Sequence, residues 1–357
     1  MEARGLTLAQ PLVALSQVPA FNTSMMDGWA VAGSGPWRVV GRVLAGTAPS
    51  PIEPGTAVVI ATGAPVPDGT TGVLRREWGA VEAEVLTTDR HVEQGMDIRF
   101  AGDEANVGDH LLPAGSVVTP PVVGLAALVG VDDLQVHRAA AVEVLVMGDE
   151  IITHGIPSIG KVRDALGVQV LAWTQGFNCT QIGVRYVEDT LEATVAAIAS
   201  STADVIFTTG GTARGPVDHM HDALAAVGAE LIVDEVKVRP GHPMLLAALG
   251  DNRFLIGLPG NPLAAITGFI TLGAPVLTAM AGRVLDATES VTTSDAISAP
   301  SSDRRIIPAK RVGMRATPTE FWGSAMLRGI ADSDCVLVTD AGGADAESRV
   351  GVLPLPW

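Results

Sequence analysis

The sequence predicts a multidomain α/β protein: a central three-layer α/β domain with a mostly parallel sheet, a β-rich second domain and a small C-terminal β domain. Three observations carry this. Apolar strand-like runs alternate with helix-like stretches between about residues 139 and 283, as in a sheet covered on both faces. Short β-branched runs broken by Gly and Pro fill the region from about 20 to 138. The same texture returns from about 288 to 357. A chain of 357 residues, 47% hydrophobic and 17% charged, is long enough for several cores. With only 4% aromatic residues, those cores must be built mainly from Ala, Val, Leu and Ile.

In chain order, the first β-rich stretch offers strands at Arg38–Ala45, Thr56–Ala61, Val81–Thr87 and Ser116–Thr119. The central stretch offers Val142–Met147, Val205–Phe207, Glu230–Val238 and Phe254–Ile256 as strands, with helices at Val168–Gln175, Thr190–Ser200 and Asp218–Val227 between them. The tail offers Ile306–Val312, Glu320–Gly323, Asp334–Thr339 and Arg349–Leu353. These textures divide the chain into 21–95, 139–285 and 286–357, with 1–20 and 96–138 as a connecting part. Asn261–Gly282 carries no charge and has about the length of a membrane span. Its two prolines and two internal glycines, with no basic anchors at its start, point to a buried helix instead.

Composition excludes several functions. A formal charge of −16 argues against a nucleic-acid partner, which needs dense Lys and Arg. Cys179 and Cys335 are far apart and read as reduced thiols of a cytoplasmic protein. The start lacks the apolar stretch of a signal peptide, and no membrane association is expected. The seven histidines have no zinc-type spacing. GxSxG, GxxxxGK[ST] and HExxH are all absent.

In an open parallel sheet, ligands sit beyond the carboxyl ends of the strands. Three unusual loops are expected there. Thr208-Thr209-Gly210-Gly211-Thr212 offers close backbone approach and hydroxyls. In Gly257-Leu258-Pro259-Gly260-Asn261-Pro262, Asn261 is placed to cap the next helix and Pro262 suits its first turn, leaving a helix N-terminus open to an anion. Gly148-Asp149-Glu150 sets two carboxylates at a strand end, where Mg²⁺ or a hydroxyl-bearing ligand would bind, and Asp164 and Asp218 follow similar loops. Each loop taken alone also fits an ordinary turn, cap or acidic bend.

Taken together, the blocks resemble the MoeA family, which includes the gephyrin E domain and its plant counterpart. The segment Phe21–Val31 resembles the family's MDGYA block, and Thr62–Gly69 its TGAP block. Arg99–Gly115 resembles the R-x-x-GED stretch, Gly148–Glu150 the GDEL block, and Thr208–Asp218 the TTGG block. Arg239–Pro243 is similar to KPGKP, and Gly257–Pro262 matches GLPGNP. The resemblance implies a homodimeric molybdopterin molybdenumtransferase, in which 1–20 with 96–138 links and dimerises. Its reaction would insert molybdate into adenylylated molybdopterin with Mg²⁺, releasing AMP, and a molybdopterin-adenylyltransferase would supply the substrate. Asp27 and Thr62 would be catalytic residues on the partner side of a cleft. Glu150 and Asp218 would act beside them, and Asp149, Glu150 and Asp218 would hold the metal. Thr209, Gly210, Gly211, Thr212, Arg214, Pro259, Gly260 and Asn261 would bind the pterin, with Arg239 and His242 where the family places two anion-binding lysines.

Departures from the family pattern leave an alternative open. Ala213 and Ala264 replace two serines that help hold molybdate in the family, and His242 replaces a lysine. GED is inverted to Gly102-Asp103-Glu104, and an N-terminal helix of the family is expected to be missing. The alternative is a diverged, non-catalytic paralogue that binds pterin or nucleotide.

Overall fold

The computed structural model describes residues 3–43, 46–212, 219–285 and 287–355. Contacts divide the chain into two units, Met1–Val136 and His137–Trp357.

In the first unit a six-stranded sheet runs in the order Gly72–Arg75, Gly28–Val31, Thr56–Ile60, Trp37–Arg42, Val85–Thr87, Ala80–Glu82. The single strand expected at Val81–Thr87 is instead a hairpin. Ala83 and Glu84 adopt φ of 48° and 66°, the left-handed pair that a two-residue hairpin turn requires. The strand expected at Ser116–Thr119 contributes one isolated bridge, Val117 with Thr7. Gly28 has a plain steric reason. A Cβ there would lie 1.9 Å from the carbonyl oxygen of Leu74 on the neighbouring strand, so only glycine allows the two backbones to pair.

In the second unit the main sheet runs Thr180–Val187, Ala141–Met147, Val205–Thr209, Arg253–Leu258, Leu245–Gly250, Glu230–Asp234. The first four strands are parallel; Leu245–Gly250 runs against them and pairs antiparallel with Glu230–Asp234 at the edge. Alternation along the strands separates two cores. Val144, Val146, Val205 and Phe207 turn toward the helices Leu166–Trp173 and Pro262–Gly268. Leu145, Met147 and Ile206 turn toward Leu191–Ser200 and Met220–Ala226. This is the expected three-layer arrangement. Phe269 anchors the first core, with its ring 5.1 Å from Trp173, 5.4 Å from Phe207 and 5.9 Å from Phe177.

The charge-free segment forms one helix, Pro262–Met280, 56% buried within the unit. Among the described residues it alone is long and apolar enough to cross a membrane, and here it packs against the sheet. The tail forms a small closed barrel. Arg304–Val312, Arg315–Pro318, Glu289–Thr293, Arg349–Pro354 and Cys335–Thr339 pair in turn, and the last returns to the first. Val238–Arg239 joins this barrel in parallel with Arg304–Arg305. Glu320–Gly323, expected as a strand, is a loop in which Phe321 has φ 59°.

An ion pair fixes the start of the main sheet. Arg138 donates twice to Asp204, at 2.6 Å each, and the amide of Ala141 donates to the same carboxylate at 2.8 Å. The hydrogen bond from Arg138, more than any other contact, holds the Asp204 carboxyl below the usual carboxylate range. A depressed folded pKa stabilises the fold above the unfolded value near about 3.9, and this stability is lost as pH falls through the folded one. Asp204→Asn is therefore expected to cost about 2 kcal/mol at neutral pH, with the gap to the parent closing below about pH 4. Urea melts at several pH values measure it.

Candidate functional site

The loops at the carboxyl ends of the parallel strands lie against one another. The amide of Gly210 donates to the carbonyl of Leu258 at 3.0 Å, so the Thr209–Thr212 turn hangs from the neighbouring strand end. A Cβ on Gly260 would sit 3.6 Å from the Cα of Gly210, and one on Gly210 would sit 3.3 Å from the carbonyl oxygen of Met147. Gly210 has φ +87°, a conformation open to glycine at little cost. Among the described residues, the amides of Gly211, Gly260 and Asn261 make no hydrogen bond. Unpaired amides on adjacent turns are what an anion needs.

The capping of the helix differs from the sequence reading. Pro262 is the first helical residue, as expected, but the Asn261 side chain makes no cap. The carbonyl of Ser324 takes that place, accepting from the amides of Leu263 at 2.9 Å and Ala264 at 3.3 Å. The helix N-terminus is thus covered by the Phe321–Leu327 loop of the barrel, and the free amides lie one residue upstream. That loop also stacks the Arg305 guanidinium over Trp322 at 4.6 Å and Arg328 over Phe321 at 4.4 Å. The Ser324 loop carries no glycine pair or acidic cluster to mark it in the sequence. Its only signal was a polar loop placed where a strand was expected.

The acidic turn stands at the next strand end. Asp149 and Glu150 are exposed, and Asp149 Oδ1 accepts from the amide of Asp189 at 3.3 Å. Lys161 Nζ donates to the Asp149 carbonyl at 2.8 Å. Asp164 is already engaged: it accepts from the amides of Leu166 and Gly167 at 2.9 and 3.0 Å, and from the Tyr186 hydroxyl at 2.8 Å. Burial, and then Asp164, push the Tyr186 phenol up to about 12, so it stays a donor. Asp218 and Arg214, with Ala213, lie outside the described residues. Among the described residues there is no group of three or more His, Cys, Asp or Glu side chains placed for a metal.

The Arg239–Pro243 loop reaches the same helix. A Cβ on Gly241 would lie 3.1 Å from the Ala264 carbonyl oxygen. Arg239 and His242 on this loop both have acidic neighbours. Arg239 Nε donates to Asp303 at 2.8 Å, and His242 Nε2 is 3.8 Å from Glu235. The hydrogen bond from Arg239 is the main reason the Asp303 carboxyl is held below its usual range.

In the first unit, Asp27 and Thr62 meet directly. Asp27 Oδ1 accepts from the Thr62 amide at 2.7 Å and from its hydroxyl at 3.0 Å. Those two bonds, the backbone one first, hold the exposed Asp27 carboxyl below the ordinary carboxylate value. Gly28, locked against Leu74, fixes the backbone beside it.

A mostly parallel three-layer domain whose glycine turns and carboxylates gather at the carboxyl ends of its strands, fused to a small barrel, defines a class of α/β proteins built to place loops there. Residues 1–130 match the model of the MoeA N-terminal region (domain I and II), and residues 143–279 match that of the probable molybdopterin binding domain. The molybdopterin molybdenumtransferase of Staphylococcus aureus strain MRSA252 is 27% identical over 356 residues, covering 94% of this chain and 84% of the relative. That of Staphylococcus epidermidis strain ATCC 12228 is 28% identical over 363 residues, covering 96% and 86%. Two solved structures of a molybdopterin biosynthesis MoeA protein from Pyrococcus horikoshii, differing in their identity to this chain, share the fold. Their TM-scores are 0.86 and 0.76 at 23% and 20% identity, covering 100% and 98% of this chain and 93% and 92% of theirs. The chain belongs to the MoeA family.

Proposed function

We propose that this protein is a molybdopterin molybdenumtransferase of molybdenum cofactor biosynthesis, inserting molybdate into adenylylated molybdopterin with release of AMP. The observation that carries this reading is the set of unpaired amides at Gly211, Gly260 and Asn261 on two touching turns, beside an exposed pair of carboxylates. Molybdate and a pterin phosphate are both anions, and fixed amides hold such groups without reorganising. Arg239, on the loop packed against the same helix, adds positive charge, and His242 beside it offers ring nitrogens. No covalent nucleophile is needed; positioning and electrostatic stabilisation supply the rate.

Mg²⁺ suits the donor set. It favours hard oxygens and usually takes one or two carboxylates, with water and substrate phosphate completing its shell. Asp149 and Glu150 would hold it, with Asp218 as an expected third ligand. When bound it would neutralise charge on the phosphoanhydride as AMP leaves. Asp27, kept ionised by Thr62, would orient a water or a cation. The proposed working form is a cytoplasmic homodimer, fed by a molybdopterin-adenylyltransferase; light scattering at twice the chain mass checks the dimer.

The experiment is direct. The protein, adenylylated molybdopterin, molybdate and Mg²⁺ are expected to yield cofactor that activates an apo-molybdoenzyme, with AMP released in step. No cofactor at millimolar molybdate would leave only a pterin-binding role. The lost serines give a graded prediction. Ala264 is buried in the first turn of the helix that follows the Gly260 turn. Restoring serine at positions 213 and 264 together is expected to lower the molybdate KM roughly fivefold to 150-fold, at about 0.5–1.5 kcal/mol per new hydrogen bond. Initial rates against molybdate concentration measure it.

A further inference from the structure

A roomy cavity in the second unit takes no part in the site above. It measures about 1020 Å³ and lies between the apolar helix and the barrel. No residue of the Gly148–Glu150, Thr209–Thr212, Pro259–Pro262 or Arg239–Pro243 segments lines it. Its helical wall presents Ile270, Ala274 and Thr278, spaced four apart along one face. Phe177, Val238, Ile306 and Val338 form apolar surface opposite, and Val350, Leu353 and Leu355 extend it along the last barrel strand.

The charges around it run against the rest of the molecule. In a chain of net charge −16, the described residues of the lining carry Lys237, Arg283, Arg304 and Arg349 against one carboxylate, Asp340. Asp340 is 3.3 Å from Arg304, and both are exposed. Arg349 donates to the Ser290 carbonyl at 3.2 Å. Lys237 is exposed and makes no side-chain hydrogen bond among the described residues. A roomy apolar cavity with a cationic lining suits a ligand that has an apolar body and an anionic head. The body gains about 25 cal/mol per Å² of apolar surface removed from water, and the head is drawn to the cations. Small-molecule sites are typically cavities of roughly 300–1,000 Å³ with a few placed polar groups.

We propose that this cavity is a second ligand site, separate from the anion cradle, which binds one amphipathic organic anion per chain. Arg304 and Lys237 hold its head, and the Ile270–Ala274–Thr278 face and the last barrel strand hold its body.

Titration calorimetry with the full chain tests this, using dodecyl phosphate, dodecyltrimethylammonium and inorganic phosphate below micelle-forming concentrations. Dodecyl phosphate is expected to bind saturably with one site per chain, and at least tenfold more tightly than either of the others. Lys237→Glu with Arg304→Glu is expected to weaken it at least tenfold. Ala274→Trp, which fills the cavity, is expected to abolish it while molybdenum insertion stays at the parental rate. The charge-reversed pair is exposed, so a folding failure of the tryptophan variant would not remove the test. Equal affinity for the cationic amphiphile, no saturable heat with dodecyl phosphate, or unchanged affinity in the charge-reversed variant would overturn the proposal. None of these outcomes depends on whether molybdenum insertion is detected.

Discussion

Asp27→Asn is expected to lower the rate of molybdenum insertion by about a hundredfold or more, with only a small drop in the thermal midpoint because the carboxylate is exposed. The substitution keeps the shape of a side chain that already accepts from the Thr62 amide and hydroxyl, and removes only its charge. Since those bonds hold the Asp27 carboxyl below the ordinary value, it is ionised across the working pH range, and its acid limb lies below that of an ordinary carboxylate. Thr62→Ala removes the weaker of the two bonds and keeps the backbone one. Its acid limb should therefore move to higher pH, with a smaller loss at neutrality. The pH dependence of kcat/KM for the two variants reads both effects. An Asp27→Asn enzyme that kept a third of the parental rate would remove Asp27 from the chemistry.

The second large effect belongs to Gly210→Val. Gly210 sits at φ +87° with its amide tied to Leu258, and a new Cβ would press on the Met147 carbonyl and face Gly260. A β-branched residue in this conformation costs about 1–2 kcal/mol or more of stability. It also shifts the turn that carries the unpaired Gly211 amide. Losing one such donor from an anion site costs roughly a hundredfold in rate. The expected variant is folded, with a modestly lower midpoint, and close to inactive. Circular dichroism and AMP release from adenylylated molybdopterin, measured together, separate the two losses.

The sequence made the main sheet legible wherever a strand was buried on both faces. Val142–Met147, apolar but for Glu143, and Val205–Phe207, apolar throughout, are both central strands. Thr180–Val187 escaped notice because it is the edge strand. Its residues are only partly covered, and Gly183 sits at a register shift, so neither period shows. Leu245–Gly250 was likewise missed, although its neighbours were read. In the first unit, Val81–Thr87 looked like one alternating strand because Ala83 and Glu84 are not turn formers, yet tertiary pairing bends them into a hairpin. The candidate site was legible as far as its loops were local. Gly210 and Gly260 could be placed at neighbouring strand ends from the alternation of elements alone. The carbonyl of Ser324 could not, because it reaches the helix start from some 60 residues along the chain through the barrel's own packing. The ion pair of Arg239 with Asp303 has the same origin.

The central claim is that unpaired amides on the Gly210 and Gly260 turns receive an oxyanion. Anomalous diffraction at the molybdenum edge, from crystals soaked in molybdate, tests it most directly. The account predicts one strong peak whose oxygens lie within about 3 Å of the Gly211 and Gly260 amides. A peak remote from both turns, or none at molybdate concentrations that sustain turnover, would contradict it.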